Sequence, residues 1–522
     1  MPVEFLADGE AEAFGRFDGV PSPRSLARFC VLDVDDLGRV AACRGDANRL
    51  GFGVQLATVR AVGRFLPDPT DVPEQVMDFV AEQIGVADPT VLRAYTARSQ
   101  TAYEHQWQIR RDYGYVGFDT ARAELVGFLD ARATTRQEPA RSLFTAATAW
   151  LRERMVLLPG ASVLARLVAE RRAAVAEALH ELLVARCDVA DPQLRDRLDG
   201  LLVVADNETV STLERLRRGP DRASRRQMQI ALRRVRELAE FGLDQVDVGD
   251  VAPNQLAHLA RDGLTSKAPL LHTRASARRT ATLFATVRAL HGDAVDDVID
   301  VFNVLMSEKL IRPAQRMSRD RQLEAFPRLA GAARRLASLG RVLAETRSAG
   351  VSAEVLFARV DVEVGSRDEI AAAVDTVDAT APADQDVGWR QELADRYGIV
   401  RGFVAAFVET IPFRATPAGA DVLAGLAELP SVMRRARRDH VPVDLVHEDL
   451  LEGSWRSVAV DDDGVRVAAY SLCVLEAVWR ALRRRDIHVA GSTRWADPHA
   501  ELLTGERWEA TRGDVLDGLG LG

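Results

Sequence analysis

Apolar residues recur at steps of three and four along most of the chain. From Asn48 to Asp68 the run NRLGFGVQLATVRAVGRFLPD sets Phe52, Leu56 and Val59 on one stripe, which predicts a helix with a buried face. Arg49, Arg60, Gly63 and Arg64 fall in the same run. The segment after it is the clearest succession of elements. Pro73 suits a first helical turn, and Val76, Phe79, Val80 and Ile84 repeat at helical spacing. Gly85 suits the residue just past a helix, and Asp88 with Pro89 opens the next one. Helix, short turn, helix is the pattern of a helix-turn-helix, and plain helical hairpins share it. Strand signals are few, the best being DIHVAGS, Asp486 to Ser492. The pattern predicts an all-α, multidomain protein with helix-turn-helix-like units and little strand.

Length and composition add domain borders. A chain of 522 residues predicts three to four domains. Breaks near 131–141 and in the Ala-, Asp- and Val-rich stretch 369–388, which contains Pro382, divide it. The expected layout is 1–130, 131–245, 246–368, a linker at 369–388, and 389–522. Cys30, Cys43, Cys187 and Cys473 lie far apart with no CxxC pair, which points to a reducing cytoplasm. No secretory signal opens the chain, and no run is apolar enough for a membrane helix.

Charge changes the picture more. The formal net charge is −9, yet the arginines are clustered. Nine lie between Leu213 and Arg236 against only Glu214 and Asp221. Ser266 to Arg288 carries one lysine and four arginines without an acid, and RRARR (434–438) and RALRRR (480–485) follow. Arginine forks on one helical face bind phosphate, and Arg222, Arg225, Arg226, Arg233 and Arg236 fall mostly on such a face. Catalytic signatures fail. HEDLL at His447 has Leu451 where a second metal-binding histidine must stand. DDDG at Asp461 has the wrong spacing for a calcium loop. In AYEHQWQIRRDYGY, Tyr103 and Trp107 sit four apart, which favours a core role for Trp107 and phosphate contact for Arg110 and Arg111. His105 reads as hydrogen-bonded or solvent-facing.

Several blocks are together specific. They include Asn48-Arg49-Leu50-Gly51-Phe52, Gln55-Leu56, Arg60, Gly63-Arg64-Phe65, and then Tyr95, Arg98 and Tyr103-Glu104-His105. Three more follow in order: RRTATLFATVRALHGDAVDDVIDVFNVLM (278–306), WRQELADRYGIVRGFV (389–404) and RVAAYSLCVLEAVWRALRRRDIHVAGSTRWADPHAELL (466–503). Along nearly its whole length the chain resembles the N-terminal and middle regions of the Tn3 family of replicative transposases. The resemblance implies recognition of transposon terminal inverted repeats. It also implies a C-terminal ribonuclease-H-like domain whose two aspartates and glutamate bind two divalent metals. No segment matching that domain follows the last block, so no catalytic residue is assigned. No cofactor is expected in this chain, magnesium belonging to the catalytic domain.

The expectation is therefore the DNA-binding portion of a transposase, inactive alone and associated with the nucleoid. Its partners would be duplex DNA and a second copy or an intact transposase. The residues expected at DNA are Arg44, Asn48, Arg49, Arg60, Arg64, Arg98, Arg110, Arg111, Arg222, Arg225 and Arg226. Asn48 suits an adenine edge, and the arginines suit guanine or phosphate. The 48–68 helix is expected to be two-faced, one side in the core and the other toward DNA, with Gly63 allowing close backbone approach. The alternatives are a helical protein-interaction scaffold and a split transposase completed by a separate catalytic chain.

Overall fold

The structure, a computed structural model, describes residues 5–135, 138–206, 208–350, 352–380 and 385–499, together with 505, 508, 509 and 512. Helices dominate it, and the strands are short. The chain forms two compact units, neither continuous in sequence. Residues 1–202 and 244–286 make the first, and 203–243 and 287–522 the second. Residues 203–243, grouped by sequence with their N-terminal neighbours, thus belong with the C-terminal half.

The first unit is built around one helix. Helix α1 (Val34–Ala41) leads into α2 (Asp46–Val62), followed by α3 (Glu74–Ile84), a 3-10 helix (Pro89–Ala97) and α4 (Ser99–Tyr113). Every residue of α2 from Leu50 to Val59 is buried. The stripe at Phe52, Leu56 and Val59 is in the core as expected, but between Leu50 and Val59 α2 leaves no side open to solvent. Neighbours surround it, and two glycines admit them. A Cβ on Gly51 would lie 2.3 Å from the Tyr95 ring, and one on Gly53 would lie 2.8 Å from Val80. Gly63 is not inside the helix. It ends α2 in the left-handed conformation (φ +80°), which costs glycine little. Its carbonyl accepts from Leu158 N at 2.9 Å, so its close approach is to protein.

Downstream, Gly85 closes α3 with φ +68°, as the sequence indicates. Asp88 accepts from Thr90 N at 3.0 Å, and the element it opens is the 3-10 helix rather than an α-helix. Helices Phe118–Thr135, Ala140–Glu153 and Ala161–Ala190 enclose a further core with Leu125, Leu151 and Leu164 at its centre.

The second unit contains α5 (Arg225–Ala239) and the part of α6 (Ser276–Val304) from Val287 onward. A π-helical turn, Leu305–Ile311, joins α6 to α7 (Arg312–Ala349). The linker expected at 369–388 is largely replaced by helix Arg367–Thr380, packed against α7. Its alanine-rich composition favours helix, and Ile370 joins Val342, Val360 and Val364 in a small core. Residues 381–384, including Pro382, lie outside the described residues. Helices α8 (Ala420–Arg435) and α9 (Val467–Arg484) pack on each other. Strand β1 (Phe413–Ala415) pairs antiparallel with β5 (Ile487–Val489), where the sequence has its strand signal. Strand β4 (Gly464–Arg466) lies between β2 (His440–Val441) and β3 (Val460–Asp461). Among the described residues no helix is long and apolar enough to cross a membrane.

Candidate nucleic-acid interface

Helix α4 carries the most suggestive face of the first unit. Tyr103 is 65% exposed and Trp107 67% exposed, one turn apart. The core role expected for Trp107 is therefore wrong. Two stripes compete on this helix, and the inward one runs through Ala102, His105 and Ile109. His105 Nδ1 and the Tyr95 hydroxyl lie 2.9 Å apart, and the imidazole packs edge-on against Phe52. Burial holds its pKa below the ordinary histidine value. With that stripe buried, residues 103 and 107 must face outward.

Cations flank the exposed rings. The Arg110 guanidinium lies 5.1 Å from the centre of the Trp107 ring, within cation–π range. Arg111 is exposed, and its Nε donates to the adjacent Asp112 at 2.9 Å. Arg98 is exposed at the start of α4. Arg64 lines a cleft of about 470 Å³ with Tyr103 and Gln106. Arg44 is exposed in the loop that enters α2. Cys43 Sγ, 3.8 Å from His105 Nε2, brings that loop beside α4.

The other candidates in this unit turn inward. Asn48 Nδ2 donates to Arg44 O at 2.8 Å and closes the loop before α2. That contact occupies one of the two amide N–H donors and fixes the side chain against its own loop. Arg49 donates to Ile84 O at 2.8 Å and to Asp46 at 3.3 Å, placing its cation at the C-terminal end of α3. Arg60 forms a fork on Asp36, at 2.7 and 3.0 Å, beneath the Tyr113 ring. Asp36 is wholly buried and also accepts from Tyr113 OH and Asp33 N. Burial alone would raise its pKa, but these hydrogen bonds and the Arg60 charge outweigh it and hold the carboxyl below its ordinary value. Arg49 and Arg60 are thus structural, because a buried carboxylate and a helix end claim them first.

In the second unit the positive face expected on α5 is divided. Arg222, Arg225, Arg226 and Arg233 are exposed. Arg225 lies against Gly402, where a Cβ would fall 2.0 Å from the guanidinium. Arg236 donates to Thr410 at 2.7 Å. Arg234 is buried, donating to Leu216 O at 2.7 Å and Asp297 at 2.5 Å. The 266–288 cluster, which lies in the first unit up to Thr286, is likewise partly consumed, since Arg274 forks onto Asp262 and Arg279 onto Asp199. Asp297 and Asp199 lie 63 and 80 positions from the arginines they answer, so the sequence displays the clusters and hides these partners.

Among the described residues no group of three or more His, Cys, Asp or Glu is placed to hold a metal ion. The acidic run on α6 is no exception. Asp296 accepts from Ser492, Thr493 and Arg494, and Asp300 from Arg494 and Trp495. These residues do not fit the two-metal site the resemblance implies, and no metal step is assigned to them.

Comparison with known proteins extends the picture. A family described as a domain of unknown function (DUF4158) matches residues 5–171. The transposase for transposon gamma-delta of Escherichia coli (strain K12) is 34% identical over 527 residues, covering all of this chain and 51% of the relative. The transposase for transposon Tn4556 of Streptomyces fradiae is 39% identical over 61% of this chain and 38% of its own length. That for transposon Tn501 of Pseudomonas aeruginosa is 27% identical over 94% of this chain and 48% of its own. The chain spans about half the length of the gamma-delta and Tn501 transposases.

Proposed function

We propose that this chain, homologous along its whole length to transposases of the Tn3 family, grips duplex DNA at the terminal inverted repeats of its element. The observation that carries the reading is the solvent-facing pair Tyr103 and Trp107, flanked by Arg98, Arg110 and Arg111 on one helix. Large aromatic rings left in water by a well-packed unit call for a partner. Arginine forks beside them suit phosphate oxygens and guanine edges, and the rings suit sugars and bases. Arg44 and Arg64 extend the basic surface beside α4. Exposed Arg222, Arg225 and Arg226 would add backbone contacts from the second unit.

In this reading the chain positions DNA, and a metal-dependent strand transfer is not the work of its described residues. A second copy or an intact transposase would share the paired element ends, and the protein would reside on nucleoid DNA in the cytoplasm.

The test is a gel shift with a duplex carrying the inverted repeat and a random duplex, across a salt series. Preference for the repeat, with affinity falling steeply as salt rises, is expected. Equal affinity for both duplexes at every salt concentration would remove sequence recognition. Competition by heparin but not by duplex DNA would replace the reading with a protein-interaction scaffold.

A further inference from the structure

The RRARR run joins α8 to β2 through an unusual turn. Arg437 N donates to His440 O at 2.9 Å and His440 N to Arg437 O at 3.0 Å, which makes a two-residue hairpin. Its central residues, Arg438 (φ +50°) and Asp439 (φ +69°), both lie in the left-handed region. Hairpins of this type strongly prefer Asn-Gly or Asp-Gly, because a Cβ is disfavoured at both central positions. The surrounding structure enforces the turn. Val467 N donates to Asp439 O at 2.8 Å, and His440 pairs with Arg466 across β2 and β4. His440 also bridges two acceptors, with Nδ1 3.1 Å from Arg438 O and Nε2 2.9 Å from Asp461. A ring carrying both protons satisfies that bridge.

The turn and the end of α8 beside it project charge. Arg435, Arg437 and Arg438 are exposed, and none makes a side-chain hydrogen bond or ion pair among the described residues. Asp461 beside the hairpin is engaged by His440, whereas Asp439 within the turn is exposed and Arg435 borders a groove that also holds Glu428, Asp444 and Glu448. Val441, which follows, is buried, so no large apolar side chain accompanies the arginines at the surface. Protein interfaces need such an anchor, whereas a phosphodiester backbone needs only cations at fixed spacing. Strain held in place by its surroundings, with no described residue bonding the guanidinium groups beside it, is the mark of a binding element.

We infer that the 437–440 hairpin, together with Arg435 at the end of α8, is a second DNA contact, a sequence-independent clamp on the phosphodiester backbone, separate from the α4 face. It does not depend on recognition of the inverted repeat, so a random duplex is the proper probe.

The experiment uses the full chain and compares the salt dependence of random-duplex binding before and after R435A/R437A/R438A. The slope of log affinity against log salt should fall by about 2.7, from about 0.9 per phosphate contact, with roughly tenfold weaker binding at moderate salt. An unchanged slope and affinity would overturn the inference. So would duplex binding that is intact while binding to poly-glutamate is lost, because the partner would then be an acidic protein. R438G guards against misfolding. It relieves the left-handed strain, so melting temperature should hold or rise while duplex affinity drops. Unchanged affinity in R438G at random and repeat duplex alike would also overturn the clamp. Repeat preference retained in the triple variant would show that the α4 reading stands apart from it.

Discussion

Arg60 and Asp36 form a two-pronged ion pair at 2.7 and 3.0 Å, with the carboxylate wholly buried and the guanidinium side chain 25% exposed. A cation that the sequence offers to DNA is thereby the counter-ion of a core acid. Arg60→Ala should destabilise the protein by about 3 kcal/mol, because it strands a buried charge. Urea denaturation followed by circular dichroism measures this. Arg111→Ala, on an exposed side chain, should stay within about 0.5 kcal/mol of wild type. Equal stability of the two variants would return Arg60 to the DNA-binding surface.

The same pair sets a response to acid. The folded pKa of Asp36 is depressed, so its stabilisation is full above the ordinary aspartate value of about 4 and disappears as pH falls through the folded value. Melting temperature should therefore drop as pH falls below about 4, and Asp36→Asn should lower it at neutral pH while flattening that drop. A variant that melts in parallel with wild type across this range would refute the assignment.

His440 works in the opposite direction. The Asp461 carboxylate and the Arg438 carbonyl raise its pKa, with Asp463 adding to the effect and Arg466 lying across the strand pair. A raised folded pKa stabilises the hairpin below about pH 6.5, and that contribution vanishes as pH climbs through the folded value. Hydrogen exchange of the His440 amide should accelerate above that value beyond the intrinsic base-catalysed increase. No such excess in wild type, relative to His440→Gln, would sink the prediction.

Trp107 separates binding from folding. Trp107→Ala should leave the melting temperature nearly unchanged, since the ring is two-thirds exposed, yet weaken repeat binding by about 1–3 kcal/mol, the scale of a base–aromatic contact. Fluorescence of the wild type should also respond to duplex. Loss of stability without loss of binding would place Trp107 back among core residues.

Asp296 anchors the segment after β5. Ser492, Thr493 and Arg494 all donate to this buried carboxylate. Asp296→Ala should release residues 490–496 and make the Arg494–Trp495 bond a fast trypsin site. Cleavage at the wild-type rate would mean other contacts hold the segment.

Helix existence was legible from the sequence, because three- and four-residue spacing of apolar side chains is a local property. Phe52, Leu56, Val59, Val76 and Val80 are all in the core where that spacing puts them. The strand at 487–489 and the αL glycine at Gly85 were equally local. Family resemblance was readable for a similar reason, as ordered residue blocks need no three-dimensional knowledge. What tertiary structure alone decided was the fate of each polar group. Arg60 and Arg111 look alike in a sequence, but one meets a buried carboxylate 24 positions away and the other stays exposed beside its chain neighbour Asp112. Trp107 shares its helix with a second apolar stripe, and only packing against α2 selects which stripe is buried. Local pattern fixes which residues can form a helix, whereas pairing over long separations fixes which of its faces remains free to bind.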